Sequence, residues 1–493
     1  MASQSGVSPR IAIVGSGFAG IGMAIRLRRM GIDSFTIYEA ADDLGGTWRD
    51  NAYPGAACDI PSHLYSFSFE PNPHWTRAFA PQCDILDYLR HCANKYDVER
   101  FISYRSRVLA ARFDEARRIW HIEIAREGTT IEVEADLLIA ANGPLSRPAL
   151  PDLAGIDRFE GALFHSARWD HGYALDRKRV GVIGTGASSI QFVPQIQPRV
   201  AQLSVFQRTA PWIMPHRDHA ISERMRALYR RVPLAQRIAR TAAYWQHESR
   251  ALGFVVDRRL LKRPTRFARE YLARKVKDPA LRAKLTPDYL LGCKRVLLSS
   301  DFYPAISQPN AELVTDAISE VVADGIVTAD GTHRALDAII CGTGFQVNDV
   351  DPPFRVTGAG GADLGEAWRR DGPEAYLGAS IAGFPNLFLI VGPNTGLGHN
   401  SMVYMIESQV RYIADCIRAL QRSGAHTMSV RPDVQRAYNA RIQQMFGRTV
   451  WQSGCHSWYQ TQRGKNTALW PGFTFDFRRR TRRVRERDYE FGR

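Results

Sequence analysis

The sequence predicts an α/β fold made of two doubly wound, Rossmann-like dinucleotide-binding domains with a helical insertion. Three observations carry this expectation. An apolar strand, RIAIV, runs into Gly15-Ser-Gly17-Phe18-Ala19-Gly20, and a second, RVGVI, runs into Gly184-Thr185-Gly186-Ala-Ser188-Ser189. Between them lies FEGALFHSARWD, residues 159–170, a connection loaded with Phe159, His165 and Trp169 that reads as a hinge. At 493 residues and 45% apolar, the chain has room for two or three domains and a sizeable core.

The first unit occupies residues 10–45. Its glycines permit a tight turn and let backbone N–H groups approach a pyrophosphate, while the following helix presents the positive end of its dipole. Glu39 ends the strand FTIYE, 24 residues after Gly15, where a carboxylate can accept hydrogen bonds from ribose hydroxyls. GGTWRDNAYPGAACD follows at 45–59. Its composition alone is that of a surface loop. Its position directly after a dinucleotide-binding unit favours a loop folded over the cofactor, with Gly46, Thr47, Trp48 and Asp59 as candidate contacts. Tyr65 sits in SHLYSFSF, whose alternation suggests a strand, and residues 84–97 show helical spacing with Ile85, Leu86 and Leu89 inward. VLAARF, with Val108 at its start, WHIEIA and TIEVEA read as an antiparallel meander, and DLLIAANGP returns a strand to the sheet.

In the second unit Ser189 replaces the third glycine but is small enough to keep helix and strand close. Arg208 stands 24 residues after Gly184, the offset at which the first unit has Glu39. An acid there repels a 2′-phosphate and an arginine pairs with it, so this site should take NADP in preference to NAD, with Thr209 and Gln191 beside it. Residues 221–290 lose the strand pattern and read as basic helices, after which GCKRVLLSS sets Lys294 and Arg295 side by side. Residues 311–345 return as hairpin and strand. NLFLIVG, at 386–392, is a buried strand followed by a helix, and the aromatic, glycine-rich remainder should cover the site as irregular structure.

The net charge of +15 raises the question of nucleic acid. The excess gathers in residues 224–284 and in the seven arginines between Arg478 and Arg487, with no recognition-helix, RRM or zinc-finger pattern, so nucleic acid is not expected. A solvated basic tail or helix face that steers an anionic cofactor explains it better. Seven scattered cysteines without a CxxC pair argue against disulfides, zinc knuckles and disulfide-reductase chemistry. No secretory signal is visible, so a cytoplasmic protein is expected. The uncharged run from Ala375 to Ile406 is broken by prolines and glycines and reads as soluble core, not a membrane span.

FEGALFHSARWD fits the pattern FxGxxxHxxxW[P/D], and GGTWRDNAYPGAACD fits GGxWxxxxYPGxxxD. In both, and in the order of the flanking units, the chain resembles the type I Baeyer–Villiger monooxygenases of the flavin-containing monooxygenase superfamily. The resemblance implies FAD on the first unit and NADPH on the second, and a reaction that inserts one oxygen atom of O2 beside a ketone carbonyl through a peroxyflavin. It implies an FAD-binding domain over 1–150 and 385–493, an NADP-binding domain over 151–220 and 335–384, and a mostly helical insertion over 221–334 carrying Lys294 and Arg295. It matches Arg295 to the cation that stabilises the anionic oxidant, Asp59 to the carboxylate that holds it, and Lys294, Arg208 and Thr209 to the 2′-phosphate site. His165 is a candidate either for proton transfer or for ordering the backbone between the domains. N- or S-oxygenation by the same cofactors is the alternative, and a basic nucleic-acid-binding flavoprotein without turnover a remote one. NTGLGHNSMVYMIE and WQSGCHSWY resemble the branch of the family that acts on aryl or bulkier open-chain ketones.

Overall fold

The computed structural model describes residues 8–347, 351–455 and 457–493. Two five-stranded, all-parallel sheets organise it. The first has the order Leu387–Leu389, Leu137–Ala140, Ile11–Val14, Phe35–Tyr38, Ile102–Ser103, with Ile11 facing both Phe35 and Leu137 across the ladder. Its strands Leu137–Ala140 and Ile11–Val14 are apolar and buried throughout because parallel strands are covered on both faces. Helix α1 (Phe18–Arg28) lies against it, buried over nearly its whole length, and the long C-terminal helix Met402–Ser423 packs along α1.

The second sheet runs Ala311–Val314, Gln202–Phe206, Arg179–Ile183, Ala338–Cys341, Ala162–His165. Helix α2 (Ser189–Ile196) follows its central strand. The meander forms as expected, with Phe113 opposite Trp120 and Trp120 opposite Ala135; Arg355–Thr357 adds a fourth strand, parallel to Ser106–Asp114.

Several expectations are corrected. Residues 162–165 are an edge strand of the second sheet rather than a free hinge, since their apolar alternation finds a partner in 338–341. The two chain crossings between the sheets instead run side by side: Ala149 N–H donates to Gly344 O and Gln346 N–H to Arg147 O, with Pro148 bridged to Phe345. The insertion expected over 221–334 is mainly helical as far as Lys284, through α3 (Glu223–Arg231), α4 (Pro233–Glu248) and two further α-helices, with the short helix Phe302–Ile306 after it. Beyond it, Ala311–Val314 joins the second sheet, and a three-stranded antiparallel sheet spans 318–335. Residues 335–384 likewise divide: Ala338–Cys341 lies in the second sheet and Arg355–Thr357 in the meander.

SHLYSFSF is a series of turns and not a strand, because its aromatics pack individually: Tyr65 and Phe67 each set their rings 5.3 Å from Phe18. The arginine-rich end is not a loose tail. Helix Thr474–Arg480 and the strand Tyr489–Gly492, paired with Thr427–Val430 and anchored by buried Tyr489, tie it to the body. Disulfides were not expected, yet Cys293 and Cys455 are bonded, 162 residues apart, a proximity that no local spacing encodes. No helix among the described residues is long and apolar enough to cross a membrane.

Candidate active site

The C-terminal ends of both sheets open on one cavity of about 1860 Å³. Single-ligand pockets are commonly about 300–1000 Å³, so this one has room for two dinucleotides and more. The predicted residues Gly15, Gly17, Phe18, Ala19, Glu39, Gly46, Thr47, Trp48, Asp59, Tyr65, Val108, Gly184, Thr185, Gly186, Ser188, Gln191, Arg208, Thr209, Lys294 and Arg295 all line it. Gly20, Ser189 and His165 do not.

Gly20 lies in the first turn of α1 and Ser189 is the first residue of α2, and each sets how closely its helix meets its strand. A Cβ on Gly20 would lie 1.9 Å from Gly15 O, and Gly15 itself has φ +97°, open to glycine at little cost. Ser189 is fully buried and its Oγ abuts Gly342, where even a Cβ would be 2.0 Å away. The missing third glycine is thus balanced by a glycine on the neighbouring strand end. Gly17 precedes α1 without any side-chain cap, which leaves first-turn N–H groups for an anion.

Glu39 is buried and accepts from Ser16 N (3.0 Å), Ser16 Oγ (2.7 Å) and Ala41 N (3.0 Å), with Arg49 Nη1 3.0 Å away. Burial opposes its charge, but Arg49, the Ala41 and Ser16 N–H groups and the Ser16 hydroxyl outweigh it and hold the carboxyl below its ordinary range. Arg49, within the GGTWRD stretch, was not anticipated from the sequence.

The loop 53–59 reaches across to the second domain. Tyr53 Oη donates to Gln191 Oε1 (2.9 Å), and Gln191 Nε2 donates to Ala57 O (3.0 Å). Gly55, at φ +81°, lies so close to α2 that a Cβ would sit 2.9 Å from Gln191 O. This loop ends in Asp59, whose Oδ2 accepts from both Arg295 Nε (2.8 Å) and Arg295 Nη2 (2.5 Å), while Arg295 Nη1 donates to Leu397 O (3.3 Å). Three of the five guanidinium donors are engaged in these bonds. The neighbouring carboxylate outweighs burial and raises the guanidinium pKa further, so it is a permanent cation with about 29% of its side chain open to the cavity. Buried Tyr459 lies within the field of both Arg295 and Asp59, with its hydroxyl lacking a hydrogen-bond partner among the described residues and its pKa pushed up by burial to about 12.

Lys294 turns the other way, its Nζ 4.9 Å from the Tyr289 ring. Burial, then the adjacent Arg208, lower its pKa. Two neighbouring cations, Lys294 and Arg208, define a place for a polyanion.

His165 stands apart. Its Nδ1 accepts from Ala167 N (3.0 Å), capping the turn 166–168, its ring packs edge-on against Phe345, and burial lowers its pKa. His165 thus lies off the cavity wall, a position that suits ordering of the chain crossing, one of the two roles expected of it.

A buried network unannounced by any motif braces the site from outside. Glu248, at the end of α4, accepts from Asn400 Nδ2 (2.6 Å), Thr474 N (2.6 Å) and Thr474 Oγ1 (2.8 Å), with His399 Nε2 at 3.7 Å. It ties the inserted helices to the loop whose Leu397 carbonyl holds Arg295. A lone glutamate in AAYWQHESRAL carries no spacing signal that could have revealed this.

With this geometry in hand, comparison with known proteins is informative. Residues 8–249 match the family described as FMO-like, flavin-binding monooxygenase-like. A Baeyer-Villiger monooxygenase of Streptomyces coelicolor is 48% identical over 483 residues, covering 98% of this chain and 92% of that protein. One of Pseudomonas aeruginosa is 49% identical over 475 residues, covering 96% and 89%. The solved structure of OTEMO in complex with FAD and NADP superposes with a TM-score of 0.87 at 27% identity, over 98% of this chain and 99% of that one.

Proposed function

Since this chain belongs to the Baeyer–Villiger monooxygenases of the flavin-binding monooxygenase-like family, we propose that it uses FAD and NADPH to insert one oxygen atom of O2 beside a ketone carbonyl, giving an ester or lactone. The observation that carries the reading is the Arg295–Asp59 pair on the wall of a single cavity that also holds both glycine turns.

The residues present fit both cofactors. The first glycine turn, whose Gly15–Gly20 contact excludes any side chain, together with the uncapped N-terminus of α1 and the ionised Glu39, suits the pyrophosphate and ribose of FAD. Gly184, with a Cβ position 2.6 Å from Gly342 O, and the Arg208–Lys294 cation pair suit the pyrophosphate and 2′-phosphate of NADPH. Bound FAD, reduced by NADPH, supplies the electrons that activate O2.

The chain's own contribution is electrostatic and positional. Arg295 presents a fixed positive charge where the oxidant and its ketone adduct carry negative charge, and a cation preorganised before reaction stabilises that charge without reorganising. Asp59 takes two guanidinium donors on one oxygen, and Leu397 O takes a third, so the plane of the guanidinium is set from two sides. The loop between Tyr53 and Asp59 hangs on Gln191, so the orientation of Arg295 depends on how the two domains meet. Tyr459 is buried behind the cavity wall, within the field of both charges. N- or S-oxygenation would need no dedicated cation for a ketone adduct, and the rigid Arg295–Asp59 pair favours the ketone reaction. The test is to supply NADPH and O2, screen cyclic, aryl and open-chain ketones alongside an amine and a sulfide, and identify products by mass; amine or sulfide oxidation without any ester would refute the reading.

A further inference from the structure

Two unusual properties coincide in the inserted helices. Residues 221–284 contain 18 Lys and Arg against five Asp and Glu, so this short stretch accounts for 13 of the chain's +15 charges. The same region exposes apolar side chains: of the sixteen large hydrophobic residues exposed among those described, nine fall between Met225 and Leu260. Isolated exposed leucines are ordinary, but a cluster of this kind marks an interaction surface.

The cluster has a definite geometry on α4. Leu234, Ile238 and Trp245, spaced four and seven residues apart, share one helix face and are 63%, 61% and 55% exposed, while Gln236, His247 and Glu248 occupy the buried side. The stripe continues beyond the helix: the Phe475 ring lies 6.2 Å from that of Trp245. Cations flank it. Arg237 is exposed within the α4 stripe, and Arg478 and Arg479 follow Phe475 by three and four residues on its helix, with the Arg478 guanidinium 4.9 Å from the ring of Tyr404, which stacks on Tyr244.

From this we propose that the α4 face is a peripheral docking surface for an anionic lipid membrane. Leu234, Ile238, Trp245 and Phe475 enter the boundary between headgroups and acyl chains, and the surrounding arginines meet lipid phosphates while their stems lie along the apolar stripe. Charge selects this occupant. A symmetric pair of chains joined through this face would set the same strongly cationic patch against itself. Steering of an anionic cofactor would use the arginines but leaves the tryptophan and isoleucine without a reason to be outside.

The experiment is co-sedimentation of the FAD-loaded protein with phosphatidylcholine vesicles, with and without about a third phosphatidylglycerol. Binding to the anionic vesicles should be at least about tenfold tighter than to phosphatidylcholine alone and should weaken steeply with salt. The double variant Ile238→Glu, Trp245→Glu should lose about tenfold or more of that binding while keeping FAD content and NADPH oxidation. As an independent readout, lipids brominated in the acyl chain should quench the fluorescence that differs between the wild type and Trp245→Phe. Equal binding to both vesicles, unchanged binding of the double variant, absence of quenching, or a concentration-dependent dimer that the double variant abolishes would each overturn the proposal. So would capture of an acidic protein through this face without vesicle binding.

Discussion

Replacing Arg295 by alanine separates the electrostatic role of this residue from everything else the cavity does. Arg295 is held by Asp59 through two bonds to one oxygen and by Leu397 O through a third, so its charge stays at a fixed place on the wall. A unit charge about 4 Å from the developing anion, at an effective dielectric of about 20, contributes about 4 kcal/mol. At about 1.4 kcal/mol per decade, its removal should slow ester formation roughly a thousandfold. The cost to folding is smaller, about 2 kcal/mol, because both partners are some 30% exposed and the Asp59 carboxylate left behind can hydrate. The proposed FAD contacts, the first glycine turn and Glu39, are far along the chain from this residue, so FAD binding should persist. The assay measures FAD content by absorbance, NADPH consumption, ester by mass and hydrogen peroxide in the same reaction. Continued NADPH consumption appearing as hydrogen peroxide, with ester nearly absent, is the expected pattern. Full FAD content with wild-type ester yield would refute the argument and place the required cation elsewhere, Lys294 being the nearest by sequence.

Three further perturbations follow from particular contacts. Arg208→Ala removes one of the two neighbouring cations proposed to hold the 2′-phosphate, so kcat/KM for NADPH should fall about 10- to 100-fold while that for NADH changes little; equal losses would mark Arg208 as structural. Gly20→Ala places a methyl group 1.9 Å from Gly15 O, an overlap that only backbone movement relieves, and should weaken FAD retention about tenfold or more, measured as flavin content after gel filtration; unchanged retention would show that α1 can shift freely. The His247 imidazole is buried, and burial, reinforced by Arg250, lowers its pKa to about 4. Its folded pKa lies below the unfolded value of about 6.5, so its contribution is complete above that pH and is lost as pH falls toward 4, by up to about 3 kcal/mol. The urea midpoint of His247→Asn should therefore fall less between pH 7 and about 4.5 than that of the wild type, and identical slopes would exclude His247 from acid sensitivity.

The amino-acid sequence by itself determined what depends on local chemistry. Strand, glycine turn, helix and terminal acid or arginine recur at the same offset in both units, because a pyrophosphate held at a helix N-terminus demands that order within one βαβ unit. The meander was legible from alternation of period two, Asp59 from its place in a motif, and Lys294 and Arg295 only through the family resemblance. Tertiary structure alone decided which distant segments meet. Apart from the family resemblance, nothing near Asp59 announces that both donors it binds come from a residue 236 positions later, and nothing announces that Gln191 ties its loop to the second domain. Ser189 looked like a weakened third glycine until Gly342, from a strand that returns much later, proved to make room for it. His165 sits in the most specific motif of the chain, yet it caps a turn beside the crossing segments, a role set by which strand 162–165 joins. Glu248 and the Cys293–Cys455 pair left no trace in spacing at all. Helical and strand periods encode which face is buried, but the burial of a polar or sulfur group is compensated by partners from anywhere in the chain, and only the folded arrangement supplies them.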